Sequence, residues 1–203
     1  MKQLIIILFV FCTATGFAQA EKDALLKRDS LQLQQRFTLM YYLHKKAGEG
    51  MCMGYMDKLK SDRVFGEYFN TVIAENPVTS INIINYLGGK LPTNWDEFME
   101  AVYTKNFNAL TDIISTYGYP SFKRFKILPI DDHATQAVTF ALHTNKEQRK
   151  AFQKIIKKEY KLKNIDKNEF ESTIFLTDTE GMSSEKFRKY TETHKDVRIL
   201  KKS

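Results

Sequence analysis

The chain reads as a mainly α protein, a compact multi-helix domain carrying a small C-terminal β element. Three observations predict this class. Apolar residues recur at spacings of three and four along most of the chain; Gly and Pro number only 9 and 4 in 203 residues and fall mainly between those periodic stretches; and a run dense in β-branched and aromatic residues, Ser172 to Thr177, stands near the C-terminus. With 43% apolar and 13% aromatic residues the chain has material for a core and lies outside the disordered class.

The N-terminus alters every other count. Residues 1–20 read as a cationic start at Lys2, an apolar run from Leu4 to Cys12, and small residues ending in Ala18-Gln19-Ala20. This is the pattern of a secretory signal peptide with an A-x-A cleavage site, and its apolar run is too short for a permanent membrane anchor. Phe11 precedes Cys12 where a lipoprotein pattern wants a small residue, so cleavage is expected after Ala20 rather than lipidation at Cys12. The expected product is soluble and exported, periplasmic or secreted, with no transmembrane anchor. Loss of Lys2 leaves 30 Lys and Arg against 24 Asp and Glu, a net charge of +6 in place of +7. One cysteine remains, Cys52 between Met51 and Met53. That precludes an internal disulfide and reads as a small apolar residue, with a reactive or interchain thiol as the functional alternative.

The elements follow in order. Residues 21–46 carry Leu25, Leu26, Leu33, Phe37, Met40 and Tyr41 without Gly or Pro, which predicts a helix ended by Gly48 and Gly50. Met56, Leu59, Val64, Phe65, Phe69, Val72 and Ile73 mark a second helical stretch closed by Asn76-Pro77. Residues 79–87 fit a short helix or a strand. Gly88-Gly89 and Pro92 then divide an N-terminal helical region, 21–90, from a second region, 91–203, within one continuous globular unit. Thr93 or Asn94 can cap the next helix, Asp96 and Glu97 suit its positive N-terminus, and Phe98, Val102, Leu110, Ile113 and Ile114 carry its apolar face to Gly118. A basic aromatic crossing, residues 122–126, leads to Pro129. Asp131 or Asp132 can cap a helix with a core stripe of Ala134, Ala137, Val138, Ala141 and Leu142. At about 100° per residue, Asp132, Gln136 and His143 share another side of that helix, with His133 and Phe140 at its edge. That line is a candidate ligand site or a solvated face.

Asn145 opens a helix through Lys163 with Ala151, Phe152, Ile155, Ile156 and Leu162 as its apolar side. It carries eight Lys and Arg against Glu147 and Glu159, which equals the whole net excess of the exported chain. Lys150, Lys154, Lys157, Lys158 and Lys161 form its basic face. Such a face fits an anionic membrane surface, a nucleic acid or an acidic partner, but it fits better a helix whose lysine stems cover a core stripe while their heads stay wet. Nucleic acid is the least favoured, because no exposed aromatics interleave with the charge and export separates the protein from it.

Catalytic signatures are missing from the sequence. The four histidines, His44, His133, His143 and His194, show no H-E-x-x-H spacing, and Asp131-Asp132-His133 points three ways from one helix start, so no metal site and no cofactor are expected. There is no G-x-S-x-G elbow, Walker loop or G-x-G-x-x-G.

Leu110 to Ser121 with its Gly118-Tyr119-Pro120 turn, the Ala-rich stretch ending at His143, Phe175-Leu176-Thr177-Asp178, and Tyr190 together resemble an uncharacterised family of bacterial secreted proteins over about residues 94–193. That family has a Gly-Trp-Pro turn, a helix-end Gln-His pair, a later Asp-Arg and a terminal Gln-x-Tyr-Gly. Here Tyr119 replaces Trp, Leu142 stands for the Gln, Thr179 for the Arg, and the terminal Gln and Gly are absent. The resemblance implies architecture more than chemistry. It makes His143, Asp178 and Tyr190 candidate catalytic residues of an eroded site, with Tyr119 and Pro120 beside it. Two functions are therefore carried forward. The first is a non-catalytic exported protein that binds an envelope protein or an anionic surface; the second is a degenerate, hydrolase-like enzyme using His143, Asp178 and Tyr190.

Overall fold

The computed structural model describes residues 19–54, 58–121, 124 and 137–177, and among these residues every regular element is a helix. We number them α1 (19–28), α2 (Ser30–Gly54), α3 (Lys58–Ala74), α4 (Ile83–Tyr86), α5 (Trp95–Tyr117), α6 (Thr139–Leu142), α7 (Lys146–Lys161) and α8 (Lys167–Leu176). None of the described helices is long and apolar enough to cross a membrane.

Helix starts are set by Asx residues. Asn82, Asn94, Asn145 and Asp166 each sit in extended backbone and accept a hydrogen bond from the N–H three residues on, at 2.8–3.0 Å. At α7 the pairing is reciprocal, the Gln148 side chain accepting from the Asn145 N–H at 3.1 Å. Glycines end what the caps begin: the turn after α4 needs Gly88 and Gly89 at φ 106° and 81°, and α5 stops at Gly118 with φ 75°.

Two apolar clusters hold the elements together. The first gathers Leu33, Phe37 and Met40 of α2, Phe107, Leu110, Ile113 and Ile114 of α5, Phe140 and Ala141 of α6, and Phe152 and Ile156 of α7. The second gathers Leu39, Leu43 and Ala47 of α2, Phe65, Phe69 and Val72 of α3, Ile83 of α4, and Trp95, Phe98 and Val102 of α5. Helices α2 and α5 contribute to both. Between the clusters lies a fully buried Asn106, whose Nδ2 donates to the Met40 carbonyl at 2.9 Å while its Oδ1 accepts from the Tyr86 hydroxyl at 2.7 Å.

Several expectations need correction. Gly48 and Gly50 do not end the first long helix, which breaks at Asp29 and runs on to Gly54. Gly50 serves packing instead, because a Cβ there would overlap the six-membered ring of Trp95. Val64, Ile73 and Leu162 are exposed rather than core, as is Ala151. The run Ser172 to Leu176 is helical, not extended: Asp166 caps α8, the Thr177 hydroxyl donates to the Thr173 carbonyl at 2.6 Å, and Gln153 of α7 donates to the Thr177 carbonyl at 2.9 Å. Packing against α7 thus overrides the β-propensity of that run. Residues 186–193, where the sequence fits a second extended or helical piece, lie outside the described residues, and so do residues 131–136 of the expected Asp-capped helix.

Asn106→Ala leaves the Tyr86 hydroxyl without its acceptor in a buried site and opens a small cavity, so unfolding stability should drop by about 2–3 kcal/mol. Urea denaturation checks this, and a loss below about 0.5 kcal/mol would contradict the role given to Asn106.

Candidate functional site

Two arrangements stand out, a histidine–tyrosine cluster and the lysine face of α7. His44 occupies the next position in the α2 stripe Leu33, Phe37, Met40, one turn beyond Met40. Tyr103 likewise sits one turn before Phe107 on α5. His143, the C-cap residue of α6, stacks on Tyr103 with ring centroids 4.5 Å apart and planes 16° from parallel. His44 lies 5.3 Å from His143 and 5.5 Å from Tyr103, with Phe140 edge-on at 5.9 Å. The His44 Nδ1 and the Tyr103 hydroxyl are buried without a hydrogen-bond partner among the described residues. Burial, and then the neighbouring His143, push the His44 pKa down to about 4. Burial also lowers His143, although that residue is exposed at one edge, and raises Tyr103. At neutral pH the His44 imidazole is thus held uncharged within the aromatic stack. Among the described residues no three His, Cys, Asp or Glu side chains converge as metal ligands.

The Gly118-Tyr119-Pro120 turn has a different character. All three residues are buried, Tyr119 at 0% exposure. The Glu159 carboxylate, buried on α7, accepts from the Tyr119 N–H at 2.8 Å and from Asn164 Nδ2 at 2.7 Å. From the other side the Arg124 guanidinium donates to the carbonyls of Tyr117 and Tyr119 at 2.7 and 2.9 Å and pairs with Asp23 at 2.6 Å. A Cβ on Gly118 would lie 2.6 Å from the Arg124 guanidinium, so both the positive φ and the clamp require glycine. Tyr119 and Pro120, singled out as ligand-binding candidates, are built into the first apolar cluster and its turn.

On α7 the lysine positions span an arc of about 120°, from Lys146 through Lys157, Lys150, Lys161 and Lys154 to Lys158, while Phe152, Ile156 and Glu159 lie opposite. Lys150, Lys154, Lys157, Lys158 and Lys161 are all exposed, and none is ion-paired among the described residues. Arg149 is the exception on this helix. It donates to the Thr144 carbonyl at 2.7 Å and so serves the end of α6. An open surface groove of about 460 Å³ between α4 and α5 is lined by Leu87, Lys90, Leu91, Pro92, Glu97 and Lys105. Its Glu97 is already engaged by the Thr93 N–H and hydroxyl at 3.0 and 3.1 Å, which hold its carboxyl below the usual range.

Of the predicted catalytic set only His143 falls among the described residues; Asp178 and Tyr190 lie outside them, as do Asp132, His133 and Gln136. His143 meets instead His44 and Tyr103, which motif spacing does not pick out. Their signal was present, since each continues an apolar stripe at the spacing of one turn. No protein-family model, characterised protein or solved structure matches this chain.

The depressed His44 pKa gives a signed pH dependence. An unfolded histidine takes up its proton near pH 6.5 and folded His44 only near pH 4, so the unfolded state binds more protons in that interval and stability falls as pH drops through it. The share due to His44 should be about 2 kcal/mol between pH 7.5 and 5. His44→Phe, which keeps the ring contacts, should be correspondingly less sensitive to acid. Urea titrations of both proteins at the two pH values test this, and equal pH dependence would refute it.

Proposed function

We propose that the protein is an exported, non-catalytic binding protein of the bacterial cell envelope, and that the exposed lysine face of α7 is its contact surface. The observation that carries the reading is the separation of duties on that helix. Arg149 is spent on the end of α6, Glu159 is turned inward to the Gly118 turn, and five lysines remain outward without acidic partners among the described residues. Only Lys158 and Lys161 stand in the last turn, where they compensate the negative end of the helix dipole. Lys150, Lys154 and Lys157 have no such structural duty. Unpaired like charges on one arc repel one another, so a surface that keeps them is favoured when an anionic partner supplies the counter-charge.

The leader-like segment at 1–20 supports the compartment, and the expected cut after Ala20 retains Lys22 and Asp23. Lys22 donates to the Ser115 carbonyl at 3.0 Å, and Asp23 holds Arg124. These two contacts of α1 therefore belong to the exported chain, whereas the bond from Asn164 to Gln19 at 3.2 Å does not.

Reversing four charges, Lys150→Glu, Lys154→Glu, Lys157→Glu and Lys158→Glu, should reduce retention on bacterial envelope fractions by about tenfold or more at low ionic strength. Retention of the unaltered protein should weaken as salt is added. Far-UV circular dichroism should be unchanged, because all four side chains are exposed. Equal retention of the two proteins would dismiss the α7 face as the contact surface.

A further inference from the structure

We infer that the partner of this face is an anionic phospholipid surface, and that the corner joining α7 to α8 seats itself in the headgroup boundary through Tyr160 and Leu162. The inference rests on the assignment of the α7 face as the contact surface and adds the chemistry of what it meets. Three observations point to lipid. The outward cations are all lysines, which act as diffuse point charges suited to a field of phosphates, while the one guanidinium of α7, capable of forked recognition of a carboxylate, is occupied at Thr144.

The second observation is the corner itself. Tyr160 and Leu162 are among the few large apolar side chains left exposed in the described residues, at 36% and 41%. They flank Lys161 along the chain, with Lys157 and Lys158 one turn back and Lys163 next in sequence, all exposed. At about 100° per residue Tyr160 and Leu162 border the lysine arc on its two sides, about 160° apart, and the apolar face of α7 is used in the core, so the contact is made by the exposed end of the corner, with the neighbouring ammonium groups reaching phosphate, rather than by a helix lying flat. Tyr is suited to that depth, having an apolar ring and a hydroxyl at its tip.

The third observation is that the corner is rigid before it meets anything. Tyr160 stacks on Phe170 of α8 with centroids 4.2 Å apart and planes 11° from parallel. The Leu162 N–H donates to the Lys158 carbonyl, Lys163 turns the chain at φ 61°, and the Asn164 N–H donates to the Glu159 carbonyl at 3.0 Å. The same Glu159 fixes the Gly118 turn through its side chain. Little order has to be gained on docking, so the entropic cost of presenting these two side chains is already met in folding.

The test uses the full exported chain with phosphatidylcholine vesicles, with and without phosphatidylglycerol. A Leu162→Trp variant reports depth through quenching by lipids brominated on the acyl chain. Trp95, buried in the second cluster at 3% exposure, serves as the silent internal reference. Binding and quenching are expected only with phosphatidylglycerol present, and Leu162→Ser should weaken vesicle sedimentation by about fivefold with the lysines intact. Binding without quenching, or no effect of Leu162→Ser, would overturn the seating of the corner. Retention on envelope fractions that is lost on reversal of the four lysines, together with no binding to phosphatidylglycerol vesicles, would overturn lipid as the partner, assign an acidic protein instead and leave the α7 face standing. Retention that ignores the charge reversal would fall on the α7 reading itself.

Discussion

Helix α2 has to satisfy two cores at once, and the arrangement of the other helices depends on how it does so. Leu33, Phe37 and Met40 form one stripe along it, and Leu39, Leu43 and Ala47 form another about a quarter turn away. A helix with one apolar face can lean on a single layer. A helix with two must be embraced, so α3 covers one stripe, α6 and α7 gather around the other, and α5 runs past both. The polar Asn106 lies where the two clusters meet. Its bond to the Met40 carbonyl fixes the register of α5 on α2, which dispersion forces between aliphatic side chains leave loosely specified.

The same economy appears at the end of α5. Stopping a 23-residue helix leaves its last carbonyls without partners within the helix. The carbonyls of Tyr117 and Tyr119 are taken by one guanidinium, and the Tyr119 N–H by one carboxylate. Arg124 follows Tyr119 by 5 residues and Glu159 follows it by 40, so the turn is specified in part by a residue the local sequence does not contain. The acid that faces inward for this purpose is also one that could have neutralised the lysines of α7. The unpaired basic face and the buried turn are thus two consequences of one side chain's orientation.

Much of the helical content was legible in the sequence, because Asx residues three positions ahead of a polar partner and glycines after a periodic run act locally. Asn94, Asn145 and Gly118 behave as their chemistry requires. What was illegible depended on packing. Gly50 reads as a terminator until Trp95, 45 residues away, is seen against its backbone. Ser172 to Leu176 reads as extended because β-branched residues suit a pleated surface, yet a neighbouring helix offers them a better one. The histidine–tyrosine cluster was missed for a related reason. His44 was weighed as a possible ligand by its spacing from other histidines, whereas its place one turn beyond Met40 makes it first a member of an apolar stripe. The lysine face, by contrast, was fully visible, since exposure of charge opposite a core stripe is a property of one helix alone.

The fastening of α1 also joins distant parts of the chain. Lys22 reaches Ser115, Asp23 reaches Arg124 and Asp29 reaches Tyr117, contacts separated by 93, 101 and 88 residues along the chain. Bringing together ends about 100 residues apart costs roughly 2 kcal/mol more in chain entropy than closing a ten-residue loop. The α7–α8 pair, joined by the short corner at Leu162 to Asp166, forms its contacts without that cost. The start of the chain is thus held against the end of α5 and the turn after it by polar contacts at the edge and by Leu26 beneath. α1 therefore works as a clasp between chain segments remote in sequence, and its partners, Ser115 and Arg124, lie at the same end of α5 that Glu159 secures from the other side.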